Sequence, residues 1–123
     1  MYDNNKKPKD LKLRTKEFSL AVIMLISKLP NTLSARVISN QVLRSATSIG
    51  ANYREASRSR SKAEFSAKIG DCLKEAAETE YWFELLIESG IKNNEDAHLL
   101  LNEVCELTAI LTSIDKKAKA LKN

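Results

Sequence analysis

Leu43-Arg44-Ser45-Ala46-Thr47-Ser48-Ile49-Gly50-Ala51-Asn52-Tyr53-Arg54-Glu55-Ala56, followed by Arg58-Ser59-Arg60-Ser61-Lys62, carries apolar and small residues at steps of three and four. Extended toward the N-terminus, the pattern places Ala35, Ile38, Val42, Ala46, Ile49, Tyr53 and Ala56 on one stripe of an α-helix. Arg36, Arg44, Arg54 and Arg58 fall about 140° to 180° away from Ile49 on a helical wheel, off the apolar stripe. Ser45, Ala46, Thr47, Ser48, Gly50 and Ala51 make the middle of this helix thin. A mid-helix glycine costs about 1 kcal/mol relative to alanine. Three readings are open: a close approach by a neighbouring helix that offsets the cost at Gly50, a kink there, or a ligand pocket beside the small side chains.

Three further amphipathic segments surround this one. The first spans about residues 10–29, with Asp10 as N-cap and Pro30-Asn31 as stop, and its stripe is Leu11, Phe18, Val22, Leu25, Ile26 and Leu29. The arginine-bearing helix spans about 35–57, with Ser34 as its N-cap candidate. The third spans about 62–89: Ser61-Lys62-Ala63-Glu64 reads as a capping box and Ser89-Gly90 as a C-terminal stop. Phe65, Ile69, Cys72, Ala76, Phe83 and Ile87 form its stripe. The fourth spans about 94–121 after Asn93 or Asn94, with a stripe from Ala97 through Leu100, Val104, Leu107, Leu111, Ile114 and Ala118 to Leu121. No segment reads as a strand. The expected fold is all-α, a single domain over 1–123 forming an antiparallel up-and-down four-helix bundle, preceded by a basic arm over 1–9. The alternative is a long helical hairpin that completes its bundle with another chain.

Two helices carry more apolar surface than one core needs. Leu13, Leu20 and Met24 lie opposite Val22 on the first, and Tyr81 and Leu85 lie opposite Phe83 on the third, with Trp82 on the flank. Contiguous outward apolar residues usually mark a protein contact. The expectation is a homo-oligomer; contact between the first helix of one copy and the third of the next would be heterologous and close a ring.

The chain has 123 residues and a formal charge of +4. That value conceals an asymmetry. Residues 1–62 hold a positive excess of nine, residues 63–106 a negative excess of eight, and residues 107–123 a positive excess of three. Arg36, Arg44, Arg54, Arg58, Arg60 and Lys62 form a basic row, and Lys6, Lys7, Lys9, Lys12, Arg14 and Lys16 an N-terminal basic group. Lys116, Lys117, Lys119 and Lys122 add a basic tail. The row has two readings. It tracks the phosphates of RNA or DNA, or it pairs with Glu75, Glu78, Glu84 and Glu88 between subunits.

Chemistry is sparse. His98 is the only histidine, so Glu95-Asp96-Ala97-His98 lacks the second Glu-x-x-His of a di-metal bundle. No catalytic residue, metal site or cofactor is expected. Cys72 and Cys105 are expected as buried thiols rather than a disulfide, in keeping with a cytoplasmic setting. The longest apolar run, Leu20–Ile26, is far too short to cross a bilayer, and no secretory leader is read at the N-terminus.

The segment from Leu43 to Ala56, with Arg58-Ser59-Arg60-Ser61-Lys62-Ala63-Glu64-Phe65, resembles the four-helix-bundle family of proteins encoded in intervening sequences of 23S ribosomal RNA genes. Leu43, Arg44, Ala46, Ser48, Ile49, Ala51, Asn52, Glu55, Glu64 and Phe65 match its pattern, while Gly50, Tyr53 and Ala56 stand where proline, isoleucine and glycine are usual. Lys74 to Leu86 resembles a branch with an aromatic cluster. The resemblance implies up-and-down bundles assembled into rings, with a pentamer expected, and no enzymatic activity. A related branch, the accessory variability determinant of diversity-generating retroelements, implies a reverse transcriptase and nucleic acid as partners.

Overall fold

The computed structural model describes residues 10–120. They form four α-helices, α1 Leu11–Ile26, α2 Leu33–Ala56, α3 Lys62–Glu88 and α4 Glu95–Ala120, with no strand among the described residues. The arm over 1–9, with Lys6, Lys7 and Lys9, lies outside the described residues, as do Leu121 and Lys122.

Local chemistry sets the helix ends. The Asp10 carboxylate accepts from the Leu13 N–H at 3.0 Å, Ser61 Oγ from the Glu64 N–H at 3.0 Å and Asn94 Oδ1 from the Ala97 N–H at 2.9 Å. Each satisfies a donor that the helix itself leaves open. Glu64 reaches back to the Arg60 N–H at 2.7 Å, one residue before its usual capping-box partner. Gly90 terminates α3 at φ +79, a conformation in which a side chain would be strained. Two boundaries differ from the sequence reading. Thr32, not Ser34, caps α2, its hydroxyl accepting from the Ala35 N–H at 3.3 Å. α1 stops at Ile26 rather than near Leu29. Lys28 and Leu29 donate instead to Leu25 and Ile26, three residues back, because Pro30 disfavours α geometry in the residue before it.

The four helices contact one another in cyclic order, and the diagonal pairs α1–α3 and α2–α4 make no backbone approach. Glu55 meets Lys68, the Cys72 thiol meets the Ile49 carbonyl and Ser45 meets Thr79, so α3 descends as α2 ascends. Ser66 with Asp115 sets α4 antiparallel to α3 in turn. Val22, Val42, Ile49, Ile69, Phe83, Leu107 and Leu111 are fully buried between them. α4 is long and apolar enough to cross a membrane by length and composition, but Val104, Leu107 and Leu111 face the core of the bundle.

The thin middle of α2 is used for packing. A Cβ on Gly50 would lie 3.1 Å from Thr15 Oγ1 and 3.3 Å from Thr15 Cβ, so α1 crosses close to the glycine. Thr15 is itself buried, its hydroxyl held by the Leu11 carbonyl at 2.8 Å. On the other side, the Ser45 and Thr79 hydroxyls meet at 2.8 Å and form a buried polar pair in the α2–α3 seam. Arg14 closes α1 onto α4. Its guanidinium donates to Glu103 at 2.7 and 3.0 Å and to Glu106 at 2.8 Å. Those hydrogen bonds, Glu103 first, raise its pKa above the ordinary arginine value against the opposing effect of burial. This arginine therefore belongs to the scaffold rather than to a basic arm.

Candidate nucleic-acid interface

Three of the six cations in the predicted row, Arg36, Arg44 and Lys62, already have partners. Arg36 Nη1 donates to Asn31 Oδ1 at 3.0 Å, at the end where α1 turns into α2. Arg44 lies midway along α2 and is turned onto α3: it pairs with Glu75 at 3.3 Å and with Glu78. Glu78 also accepts from Trp82 Nε1 at 3.0 Å. Helix 3 carboxylates thus do meet a helix 2 arginine, but within one chain. Lys62 opens α3 and also has a partner.

The remaining arginines behave differently. Arg54 is in the last turn of α2, Arg58 and Arg60 follow it, and all three are exposed. Their guanidinium groups make no ion pair or hydrogen bond among the described residues. About 27 Å of helix separates Arg36 from Arg54, at 1.5 Å per residue, so the row is split between opposite ends of the bundle.

Topology adds a residue that sequence order kept apart. In an up-and-down bundle the second and fourth helices finish at the same end. The α2–α3 turn and the last turns of α4 therefore enclose an open groove of about 580 Å³. Arg60, Lys62 and Lys117 line it together with Phe65, Ile114 and Ala118, and among the described residues none of its lining is acidic. Two carboxylates at this end of the bundle are engaged: Glu64 with the Arg60 N–H, and Asp115 with Ser66 and with Lys119 at 3.0 Å. Lys117 stood in the sequence only as part of a basic tail, and helix parity was the signal that joined it to Arg60. The α3 N-terminus at the groove adds a positive backbone dipole.

The predicted apolar faces divide as well. Leu13, Leu20, Met24 and Tyr81 are exposed, whereas Trp82 and Leu85 are half-buried. Tyr81 and Trp82 stack edge-on with centroids 5.1 Å apart. Leu99 of α4, which no sequence pattern singled out, is exposed beside Met24, and both line a second groove along the sparse α1–α4 seam.

Cys72 is buried, and desolvation, followed by Asp71, pushes its thiol up to about 12. Cys105 is exposed, which corrects the expectation of two buried thiols. It follows Val104 directly and so turns about 100° off the core stripe, toward Glu80 and Glu84. Partial desolvation and the Glu80 carboxylate raise its pKa. His98 is exposed and meets Asn93 at 2.7 Å. Among the described residues no three His, Cys, Asp or Glu side chains converge in a metal-binding arrangement.

The family model for the 23S rRNA-intervening sequence protein matches residues 9–113. A solved protein of unknown function from the S23 ribosomal protein family of Bacteroides thetaiotaomicron is 43% identical. The match covers 85% of this chain and 97% of that one, with a TM-score of 0.79. No curated protein matches.

Proposed function

The chain belongs to the 23S rRNA-intervening sequence protein family, and we propose that it is a non-enzymatic, nucleic-acid-binding accessory protein. The binding surface is the basic end of the bundle, where Arg54, Arg58 and Arg60 sit with Lys62 and Lys117. The observation that carries the proposal is the contrast in charge use: the guanidinium groups of Arg14, Arg36 and Arg44 are satisfied internally, while those of Arg54, Arg58 and Arg60 have no partner among the described residues. Guanidinium groups held on a helix end and a short turn suit phosphate oxygens, which they bind with directional hydrogen bonds. In a ring-like homo-oligomer, a pentamer on the family resemblance, each copy would present the same end. Several weak sites would then act together. A cytoplasmic setting fits this role.

Fluorescence anisotropy of a structured RNA and of a DNA duplex across a salt series tests the proposal. The expected result is binding at low salt that weakens steeply as salt rises, with a slope that approximates the number of phosphates neutralised. Absence of binding to either at low salt would defeat it.

A second reading, a protein-interaction scaffold whose partner is for example a reverse transcriptase, is favoured by one observation. Met24 and Leu99 are both more than half exposed on one groove. Met24→Glu with Leu99→Glu should then abolish capture of that partner while leaving the nucleic-acid affinity intact.

A further inference from the structure

We propose that the groove between the α2–α3 turn and the end of α4 receives one unpaired nucleotide of a bound strand. The inference rests on the nucleic-acid reading above and gives it a substrate class, single-stranded or looped nucleic acid. Size, polarity and charge each support it. A volume of about 580 Å³ falls in the range of small-ligand sites, about 300–1,000 Å³. A string of surface cations alone would leave no such recess.

The groove is two-sided in chemistry. Phe65, Ile114 and Ala118 give it an apolar floor, and Arg60, Lys62 and Lys117 a cationic rim. A nucleotide has the same division: a flat, weakly hydrated base joined to a phosphate. Duplex DNA presents phosphates outside and keeps its bases stacked, so it could use the rim but not the floor. Stacking of an unpaired base on an aromatic or apolar surface adds affinity without demanding a particular sequence. Ser59 also lines the groove, and its Oγ is a buried side-chain oxygen with no hydrogen-bond partner. Rotation about its Cα–Cβ bond would offer that hydroxyl to a base edge or ribose.

The test uses the full chain and a short single-stranded oligonucleotide carrying 2-aminopurine, with a DNA duplex of equal length as the control. The wild type should change the 2-aminopurine emission on binding and should prefer the single strand by at least about tenfold. Ala118→Trp fills the groove from a half-buried lining position near the end of α4. It should remove the emission change and the preference while leaving duplex affinity unaltered. Lys117→Glu is the second variant, in case the tryptophan disturbs the helix; it should weaken the single strand more than the duplex. Far-ultraviolet circular dichroism establishes that both variants stay helical. If both variants keep the wild-type emission change and preference, the groove is not the nucleotide site, although the basic end still binds nucleic acid. Failure of the wild type to bind either probe at low salt would overturn both proposals together.

Discussion

The two halves of α2 carry the same residue type and use it in opposite ways. In the first half, Arg36 and Arg44 are answered by Asn31, Glu75 and Glu78 of the same chain. At its end, Arg54 and the following Arg58 and Arg60 have no counterpart among the described residues. What differs is the facing surface. Arg44 lies along the α2–α3 seam, where acidic side chains of α3 are within reach, whereas Arg58 and Arg60 lie past the last turn of α2, in the connection. An arginine row read from sequence is therefore not one surface. It is a structural clasp followed by an open cationic end.

The largest effect that would break this comparison comes from reversing the open end. Arg54→Glu, Arg58→Glu and Arg60→Glu combined should lower nucleic-acid affinity at low salt by at least about 100-fold and reduce the salt slope by about 3. Melting temperature and oligomeric state should stay within a few degrees and unchanged, because these side chains support no internal contact. A large loss of stability with binding retained would show that the arginines serve the assembly instead.

The closed α2–α3 seam is sharpened by its pH dependence. Cys72 packs under Ile49, and its thiol is held protonated, up to about 12 from an ordinary 9.0. An unfolded chain ionises that thiol near its ordinary value. Between the two values the folded state therefore holds the extra proton, and stability falls as pH rises. The contribution is complete below pH 9 and disappears by about pH 12, with a size on the order of 2–4 kcal/mol. Urea denaturation at pH 8 and 10.5 should show a steeper alkaline loss for the wild type than for Cys72→Ala. Equal slopes would mean that the thiol is not so enclosed.

Gly50 tests the packed α1–α2 seam by steric means. Gly50→Leu should cost about 1–3 kcal/mol, read as a lower urea midpoint, because its Cβ alone would meet Thr15 at 3.1 Å. Gly50→Ala sets a helix-propensity gain of about 1 kcal/mol against that contact. A near-wild-type midpoint for the leucine variant would show that α1 can move away from α2, contrary to a closed seam.

The bundle was legible in the sequence because its core follows one period. The stripes through Val22, Ile49, Ile69, Phe83 and Leu107 are buried as read, and Asp10, Ser61 and Asn94 cap as read. The errors occur where the period says nothing about direction. Thr15, Ser45 and Thr79 are buried polar residues that a hydrophobic stripe omits, and each is accommodated by hydrogen bonds within or between helices. Cys105 is apolar in kind but one position off the stripe, and it is exposed. The site was only half legible. Which arginines are engaged depends on α3 across the seam, and Lys117 joins Arg60 only through helix parity. Pairings of this type are tertiary, so composition and spacing along one helix do not contain them.

The smallest predicted effect is also the most direct measure of the clasp. Arg44 is half exposed, so its ion pairs with Glu75 and Glu78 are open to solvent and to salt. Arg44→Ala should therefore lower stability by only about 0.5–1 kcal/mol. Glu78→Ala should cost more than the ion pair alone, since it also leaves Trp82 Nε1 without its acceptor. A double-mutant cycle on Arg44 and Glu78 removes the tryptophan contribution and should leave a coupling of about 0.5 kcal/mol that shrinks in high salt. The same cycle on Arg58 and Glu78 should give no coupling. Equal coupling for both arginines would mean that Arg58 also folds back onto α3 in solution, and the division of α2 into a closed and an open half would fail with it.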